Sequence, residues 1–332
     1  MLVKDLGEEK VIELIKSTDG STDGFSNSNI IAGIGDDAAV IDAGNKYNLL
    51  TTDMLVEGVH FDLGFTDAYS LGYKALAVNL SDIAAMGGRP LYYLVSVALP
   101  GATSERFVKE LFHGMQAVGK SFKVSLIGGD TVGSKDKVTI SVTLLGEVEK
   151  DEVVFRHGAN PGDLVYVSGF LGDSAAGLEI FLKGLKGQLS PNVENYLRRR
   201  HLCPQPRIEL ARKLAVNRVC TALNDISDGL IKKVWEIAYS SKVSIRIDCK
   251  TIPISDELRT FAEKLKVPCL DFALHGGEDY ELLFTVAPGK EELLGKLNLP
   301  VTKIGQVLEK SEFVEVLDQK GNLLVDMGFQ HF

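Results

Sequence analysis

The chain has 332 residues, of which 45% are hydrophobic and 24% are charged. This composition excludes a disordered chain and allows a sizeable buried core, and the length predicts two domains at about 150 residues each. The formal net charge of −9 argues against a nucleic-acid partner, because an acidic surface repels phosphate backbones. A phosphorylated small molecule is still compatible with this charge, since bound metal ions can invert it locally.

The cysteine pattern and the N-terminal segment argue against several other classes of protein. The four cysteines lie far apart and form no Cys-x-x-Cys pair, which argues against a structural zinc site and a disulfide scaffold; they are Cys203, Cys220, Cys249 and Cys269. The N-terminal segment contains acidic residues and no long apolar run, so we expect no signal peptide. No stretch approaches 18 apolar residues, which predicts no membrane partner. We therefore expect a cytoplasmic protein.

The first half of the chain mixes helical and strand patterns. Residues 19–29 are rich in Gly, Ser, Asp and Asn, which predicts a mobile loop. Apolar residues at helical spacing and helix-ending signals predict helices over 8–17, 70–86 and 103–122. Apolar, β-prone runs predict strands over 47–52, 91–99, 124–127 and 138–145.

The second half repeats this mixture after a turn-rich segment. Residues 149–163 contain Gly158 and the pair Pro161-Gly162, so we place a domain boundary there and expect domains over 1–150 and 151–332. The predicted strands cover 164–167, 219–223, 243–247 and 281–286. The predicted helices cover 173–183, 206–216, 228–240 and 255–266. Alternating strands and helices indicate sheets that are covered by helices.

One sequence motif matches a nucleotide-binding pattern in the wrong context. Residues 114–121, GMQAVGKS, satisfy the Walker A pattern G-x-x-x-x-G-K-S. That motif binds phosphates only as a loop between a strand and a helix, where its backbone N–H groups are free. Here it lies within the amphipathic stripe from Phe107 to Phe122, and no strand precedes it. We therefore expect a chance match on a helix.

A stronger signal comes from acidic residues that stand beside glycines or at the ends of predicted strands. They are Asp36, Asp37, Asp53, Asp82, Asp130, Asp225, Asp228, Glu278 and Asp279. Each of them alone is more often a turn residue or a helix cap. Strand ends, however, bring distant residues together at one edge of a sheet, which is a usual place for a ligand site.

The helix predicted over 70–86 strengthens this interpretation. Asn79 and Asp82 are three residues apart and share a face, which also carries Ala75 and Met86. A carboxylate near a buried face is costly unless it is paired or bound to a metal ion. The candidate ligands are all oxygen donors, which hard cations such as Mg²⁺ prefer, and Mg²⁺ usually shares its shell with substrate phosphates. The residues alone therefore predict a Mg²⁺-dependent enzyme acting on phosphates.

Eight strings, taken in chain order, carry a family resemblance over essentially the whole sequence. They are GIGDDAAVI (33–41), TTDMLVEGVHF (51–61), GYKALAVNLSDIAAMG (72–87), IGGDT (127–131), GDSAAGL (172–178), NDISDGL (224–230), GGEDYELLFTV (276–286) and GFQHF (328–332). With these strings the chain resembles the thiamine-monophosphate kinase family. That family belongs to a superfamily with aminoimidazole ribonucleotide synthetase and selenophosphate synthetase.

The resemblance implies ATP-dependent phosphorylation of thiamine monophosphate to thiamine diphosphate. It implies direct in-line transfer with several Mg²⁺ ions and no phospho-enzyme. Such a transfer depends on positioning the substrates and neutralising their charge more than on a protein nucleophile. Selenophosphate synthetase is an alternative, but it needs a reactive Cys or selenocysteine near the N-terminus, and no Cys precedes Cys203. Aminoimidazole ribonucleotide synthetase fits HGGEDYELLFTV and the aromatic C-terminus less well. A regulatory nucleotide-binding module without turnover would not need so many acidic residues.

The resemblance also implies a set of site residues. For Mg²⁺ these are Asp36, Thr51, Thr52, Asp53, Asp82, Asp130, Asp225 and Asp228. For ATP they are Gly129, Asp130, Arg156 and Ser227, and for the substrate they are His60, Glu278 and Phe329. Taken alone, Arg156 would more simply be a solvated cation, His60 a packed histidine and Phe329 an anchor for the tail.

The fold implied by the resemblance is α/β (α+β), with two mixed-sheet domains of the aminoimidazole ribonucleotide synthetase type. The N-terminal sheets of two protomers would join into a dimeric barrel, so we expect a homodimer. The alternating strand over 138–145 is a candidate member of that sheet.

Overall fold

Two six-stranded sheets, one from each half of the chain, organise the protein. The computed structural model describes residues 6–18, 29–309 and 314–328. Among these residues, no helix is long and apolar enough to cross a membrane.

The first sheet comes from residues before 150. The elements of this half are α1 (Glu8–Thr18), β1 (Ile30–Ala32), β2 (Ala39–Asp42), β3 (Lys46–Val56), α2 (Ala68–Ala85), β4 (Arg89–Pro100), α3 (Glu105–Phe122), β5 (Ser125–Ser134) and β6 (Thr139–Glu149). The strand order is β1-β2-β3-β6-β4-β5, and only β4 and β5 run parallel. Within the described residues the sheet is open, and β5 forms one of its edges.

The second sheet comes from residues after 160. The elements are β7 (Leu164–Ser168), α4 (Asp173–Leu182), α5 (Pro191–Leu202), α6 (Ile208–Val216), β8 (Cys220–Ile226), α7 (Leu230–Ser241), β9 (Ile245–Ile247), α8 (Asp256–Leu265), α9 (Cys269–His275), β10 (Glu281–Val286), α10 (Glu291–Lys296), β11 (Val301–Val307) and β12 (Val316–Leu317). The strand order is β12-β9-β11-β7-β10-β8, with β12 and β9 parallel and the other pairs antiparallel. The two mixed sheets agree with the predicted fold class.

Helix α2 lies at the centre of the molecule and connects the two halves. Its sequence is apolar on nearly all sides, which is typical of a buried helix, and most of its residues are inaccessible to solvent. The helix begins at the N-cap Asp67, whose carboxylate accepts a hydrogen bond from the Ser70 N–H. It packs against β3, β6 and α3 of its own half and against α6 and β8 of the other half. One hydrophobic core therefore extends across both sheets.

Two glycines allow α2 and α3 to approach closely. A Cβ atom on Gly114 of α3 would lie 1.9 Å from the Tyr69 carbonyl oxygen, and one on Gly72 of α2 would lie 1.8 Å from the Leu111 carbonyl oxygen. Only glycine fits at these contacts, because backbone atoms of the facing helix cannot move aside independently. The Walker-like string is thus part of a packed helix, as the sequence pattern predicted.

The predicted elements are confirmed with small shifts at their ends, and the missed elements are mostly short or polar. Helix α5, PNVENYLRRRHL, has few apolar residues and was not predicted. It begins at Ser190, whose hydroxyl caps the Val193 N–H, with Pro191 in the first helical position. Strand β5 extends well beyond the predicted strand over 124–127 and ends at Ser134, because pairing with β4 outweighs the weak strand preference of its glycines.

The close α2–α3 contact has a measurable consequence. We expect Gly114→Ala to lower the free energy of unfolding by about 1–3 kcal/mol or more, since the new methyl group forces the helices apart. Gly295→Ala is the matched control, because Gly295 is also helical but has no atom near its missing Cβ. The control should be neutral or stabilising by up to about 1 kcal/mol. Urea unfolding of both variants measures the difference, and equal effects would contradict the proposed role of the contact.

Candidate active site

Three aspartates from different elements meet between the two sheets. The carboxylate oxygens of Asp37, Asp82 and Asp225 lie within 4.8 Å of one another. Asp37 precedes β2, Asp82 lies on α2, and Asp225 lies near the end of β8. Such an arrangement of hard oxygen donors could hold a divalent cation, and Mg²⁺ and Ca²⁺ are the ions that prefer these ligands.

Neighbouring polar groups fix the orientation of this cluster. The Thr51 hydroxyl donates to Asp82, and the Ser81 hydroxyl donates to Asp225 over 2.7 Å. The Asp53 N–H donates to the side-chain oxygen of Asn79 over 3.1 Å. Asn79 and Asp82 therefore share a face of α2, as their spacing predicted, and both lie against β3.

Asp82 and Asp225 of the cluster, and the neighbouring Asp53, have displaced pKa values. Burial raises the pKa of Asp225 to about 7, against the opposing charge of Lys233. Burial and the charge of Asp53 raise the pKa of Asp82 well above its usual range. Burial also raises the pKa of Asp53, although its hydrogen-bonding contact with Asp82 opposes the shift. These carboxyl groups therefore repel one another, and a proton or a cation between them would relieve the repulsion.

Two basic residues lie beside the cluster and are held by one glutamate. The Arg156 guanidinium contacts Asp37 over 2.6 Å and Glu236 over 3.3 Å. Lys233, on the same helix as Glu236, contacts that glutamate over 3.3 Å. Burial alone would raise the pKa of Glu236, but Lys233 and Arg156 outweigh it and hold this pKa at about 2. Nothing in the sequence pattern distinguishes Lys233 or Glu236, because an amphipathic helix commonly carries charged residues.

A cavity of about 760 Å³ opens beside the cluster, between the two halves of the chain. Its lining combines acidic and polar side chains with apolar ones, among them Phe61, Phe65 and Leu178. Seven of the predicted site residues line this cavity, namely Thr52, Asp53, His60, Asp82, Ser227, Asp228 and Glu278. The tertiary structure thus brings together predicted residues that are more than 200 positions apart in the chain.

The remaining predicted residues lie around this cavity or away from it. Asp36 accepts hydrogen bonds from the N–H groups of Arg156 and Asp37, and its pKa is raised to about 6 by burial and by the charge of Asp37. Gly129 and Asp130 are exposed on the edge strand β5. Phe329 lies outside the described residues, so its predicted substrate contact stays a prediction.

Glu278 is held by two partners that the sequence did not indicate. Its carboxylate contacts the buried Lys74 ammonium over 2.7 Å and the His201 ring over 3.1 Å. Burial opposes ionisation, but Lys74 and His201 outweigh it and hold the pKa of Glu278 at about 2. Glu278 and Tyr280 both have positive φ angles, 66° and 51°, and both line the cavity. Strained backbone of this kind is often retained at functional sites.

The comparisons with known proteins agree with this geometry. The model of the AIR synthase related protein N-terminal domain matches residues 35–148, and the model of the C-terminal domain matches residues 160–318. The fold and the acidic site between the two halves therefore define a protein of the AIR synthase related class.

Individual relatives narrow this class. The chain is 42% identical to thiamine-monophosphate kinase from Bacillus subtilis, over 92% of this chain and 95% of that protein. It is 38% identical to thiamine-monophosphate kinase from Aquifex aeolicus over the full length of both. A solved structure of AaThiL complexed with AMPPCP and TMP is 39% identical, with a TM-score of 0.88, and the match covers 100% of this chain and 99% of that one. The chain belongs to the thiamine-monophosphate kinase family.

The ion pairs of Glu278 predict a specific dependence of stability on acid pH. A carboxylate whose pKa is depressed by folding stabilises the protein above its unfolded pKa, near 4.5, and this stabilisation is lost as the pH falls toward about 2. We therefore expect wild type to exceed Glu278→Gln in free energy of unfolding at pH 6, and the difference to shrink between pH 4.5 and pH 2. The control is Glu263→Gln, a change on the exposed side of α8. Urea titrations across this pH range test the expectation, and a constant difference would contradict it.

Proposed function

We propose that this protein transfers the γ-phosphoryl group of ATP to thiamine monophosphate, giving ADP and thiamine diphosphate. The observation that carries the proposal is the acidic cluster that borders a cavity of about 760 Å³, whose lining also includes apolar and aromatic side chains. Family membership supports the substrates, because relatives that cover the whole chain are thiamine-monophosphate kinases, and the AaThiL structure contains AMPPCP and TMP.

We propose that Mg²⁺ ions join the two phosphorylated substrates at the acidic cluster. The oxygen donors of Asp37, Asp82 and Asp225 fit this ion, with Asp53 and Asp228 nearby at the cavity wall. When bound, Mg²⁺ would neutralise the charge of the transferring phosphoryl group. Asp36, Thr51, Thr52 and Asp130 complete the proposed ligand set, in direct contact or through water.

The protein's own contribution to the reaction is to position the substrates. We propose direct transfer between the two substrates without a covalent intermediate, as the family resemblance implies. Ser227 and Arg156 would orient the nucleotide, together with Gly129 and Asp130. When two substrates are held in line, most of the rate acceleration of phosphoryl transfer comes from their orientation and from charge neutralisation.

We propose that the apolar and aromatic residues of the cavity lining bind the thiamine part of the acceptor. The apolar side chains of the lining and Phe61 suit an aromatic ring system, and Glu278 offers an ionised carboxylate to a cationic ring. His60 and Phe329 would complete this contact. The His60 ring accepts a hydrogen bond from the Val56 N–H through Nδ1, which fixes its orientation at the cavity wall.

The substrate proposal is tested by the choice of acceptor. We expect ADP release with thiamine monophosphate and none above background with free thiamine, since the proposed site joins two phosphate groups through Mg²⁺. A coupled assay of ADP release, run with both acceptors and with an aminoimidazole precursor, measures this. Equal turnover of free thiamine would contradict the proposal.

The metal proposal is tested by removing one charge. Asp82→Asn keeps the size of the side chain and can still accept the Thr51 hydrogen bond. We expect ADP release to fall about a hundredfold or more, and Mg²⁺ to raise the melting temperature less than in wild type. Without Mg²⁺ the variant should be at least as stable as wild type, because a repelled charge is gone. The exposed Asp136→Asn is the control, and near-normal rates in Asp82→Asn would refute the metal assignment.

We further propose that two copies pair through the N-terminal sheet and complete a dimeric barrel. Strand β5 is exposed along nearly its whole length, and apolar side chains on β4 and β5 face outward, including Leu94, Leu126, Ile127 and Val132. An exposed edge strand beside apolar residues favours association with another sheet.

Light scattering tests the dimer. We expect wild type to have twice the monomer mass of 36.1 kDa at micromolar concentration. Ile127→Lys should shift the protein toward the monomer, because it places a charge on the 59% exposed Ile127 position within the proposed contact. The control Lys109→Met lies on the exposed side of α3, and a monomeric wild type would overturn the proposal.

A further inference from the structure

Lys233 is a buried lysine that lies within 4 Å of three carboxylates. It is 5% exposed, and its ammonium group lies 3.3 Å from Glu236, 3.8 Å from Asp228 and 3.9 Å from Asp225. Asp225 belongs to the acidic cluster, and Asp228 lines the cavity. A buried ammonium group is costly to desolvate, so its position among carboxylates requires an electrostatic explanation.

Glu236 anchors this ammonium group and is itself held from two further directions. The Asn224 side-chain amide donates to its carboxylate over 2.9 Å, and the Arg156 guanidinium contacts it over 3.3 Å. Charges therefore alternate along a continuous chain of contacts from Asp37 through Arg156, Glu236 and Lys233 to Asp225. This chain passes from the N-terminal half through the linking segment to the C-terminal half.

The position of Lys233 sets it apart from its neighbour on the same helix. Lys232 also contacts Asp228, over 3.0 Å, but it has no contact with Asp225 or Glu236 among the ion pairs of the described residues. Lys233 has a positive charge that is fixed to the protein, 3.9 Å from Asp225. A fixed charge at this point would offset part of the repulsion within the cluster.

We propose that Lys233 is a positioning residue that acts as the fixed cation of the acidic cluster. It holds Asp225 and Asp228 in place before a divalent ion binds, and it reduces the repulsion that the divalent ion must relieve. The part of this inference that concerns divalent ions rests on the proposed function. The charge compensation within the protein does not depend on it.

The test compares melting temperatures with and without Mg²⁺, in the absence of nucleotide and thiamine monophosphate. Without Mg²⁺, we expect Lys233→Met to melt about 5 °C lower than wild type, because the carboxylates around position 233 have lost their cationic partner. The increase in melting temperature on adding Mg²⁺ should be about twofold larger than in wild type, since the ion now relieves repulsion that Lys233 relieved before. Lys233→Arg keeps the charge and should restore both values toward wild type.

The exposed control Lys109→Met should leave both quantities unchanged, because that lysine pairs with Glu105 on the surface of α3. The proposal would be overturned if Mg²⁺ raised the melting temperature of Lys233→Met by the same amount as that of wild type, whatever the melting temperature without Mg²⁺. Such a result would mean that Lys233 supports packing and does not compensate charge.

A second variant covers the case in which Lys233→Met does not fold. The double variant Asp225→Asn with Lys233→Met removes one charge of each sign, so it should fold and melt close to Asp225→Asn alone. If the double variant also fails to fold, the proposal is overturned. If Mg²⁺ does not raise the melting temperature of wild type, the proposed metal site is wrong. A double variant that folds and melts close to Asp225→Asn would still support charge compensation by Lys233.

Discussion

Repulsion among buried carboxylates is the constraint on which this structure depends. Asp37, Asp82 and Asp225 reach one point from a loop, a helix and a strand, so the two halves of the chain must pack in one relative position to form the cluster. Like charges at this distance oppose folding unless protons or cations offset them. The serine and threonine hydroxyls around the cluster, together with Arg156 and Lys233, supply part of that compensation.

The cavity offers groups for two tasks that a phosphoryl transfer enzyme must perform. Its lining includes carboxylates, whose negative charge Mg²⁺ would neutralise, and apolar side chains that provide a surface for an organic ring system. Glu278 also lines the cavity and is kept ionised by Lys74 from α2 and His201 from α5. Helix α2 contributes both Lys74 and Asp82, and it is buried and packed at backbone distance against α3.

Sequence patterns succeeded where the chemistry follows from local spacing. The three-residue separation of Asn79 and Asp82 placed both on one face of a helix, and the structure confirms this. Patterns failed where partners come from distant elements. Lys74, His201 and Lys233 lie on helices whose spacing gave no sign that they contact Glu278 or Asp225, because amphipathic periodicity does not identify which neighbour covers each position.

Residue type and short spacing were enough to indicate sheets covered by helices and most of the acidic residues, while the family and its two mixed sheets followed from the resemblance of eight strings in chain order. The tertiary structure alone decided which acidic residues converge. It brings Asp37 into the cluster with Asp82 and Asp225, while Asp36 accepts backbone hydrogen bonds and Asp130 lies on an exposed edge strand. The physical reason is that electrostatic coupling depends on distance and burial, and both are set by packing between elements that are far apart in the chain.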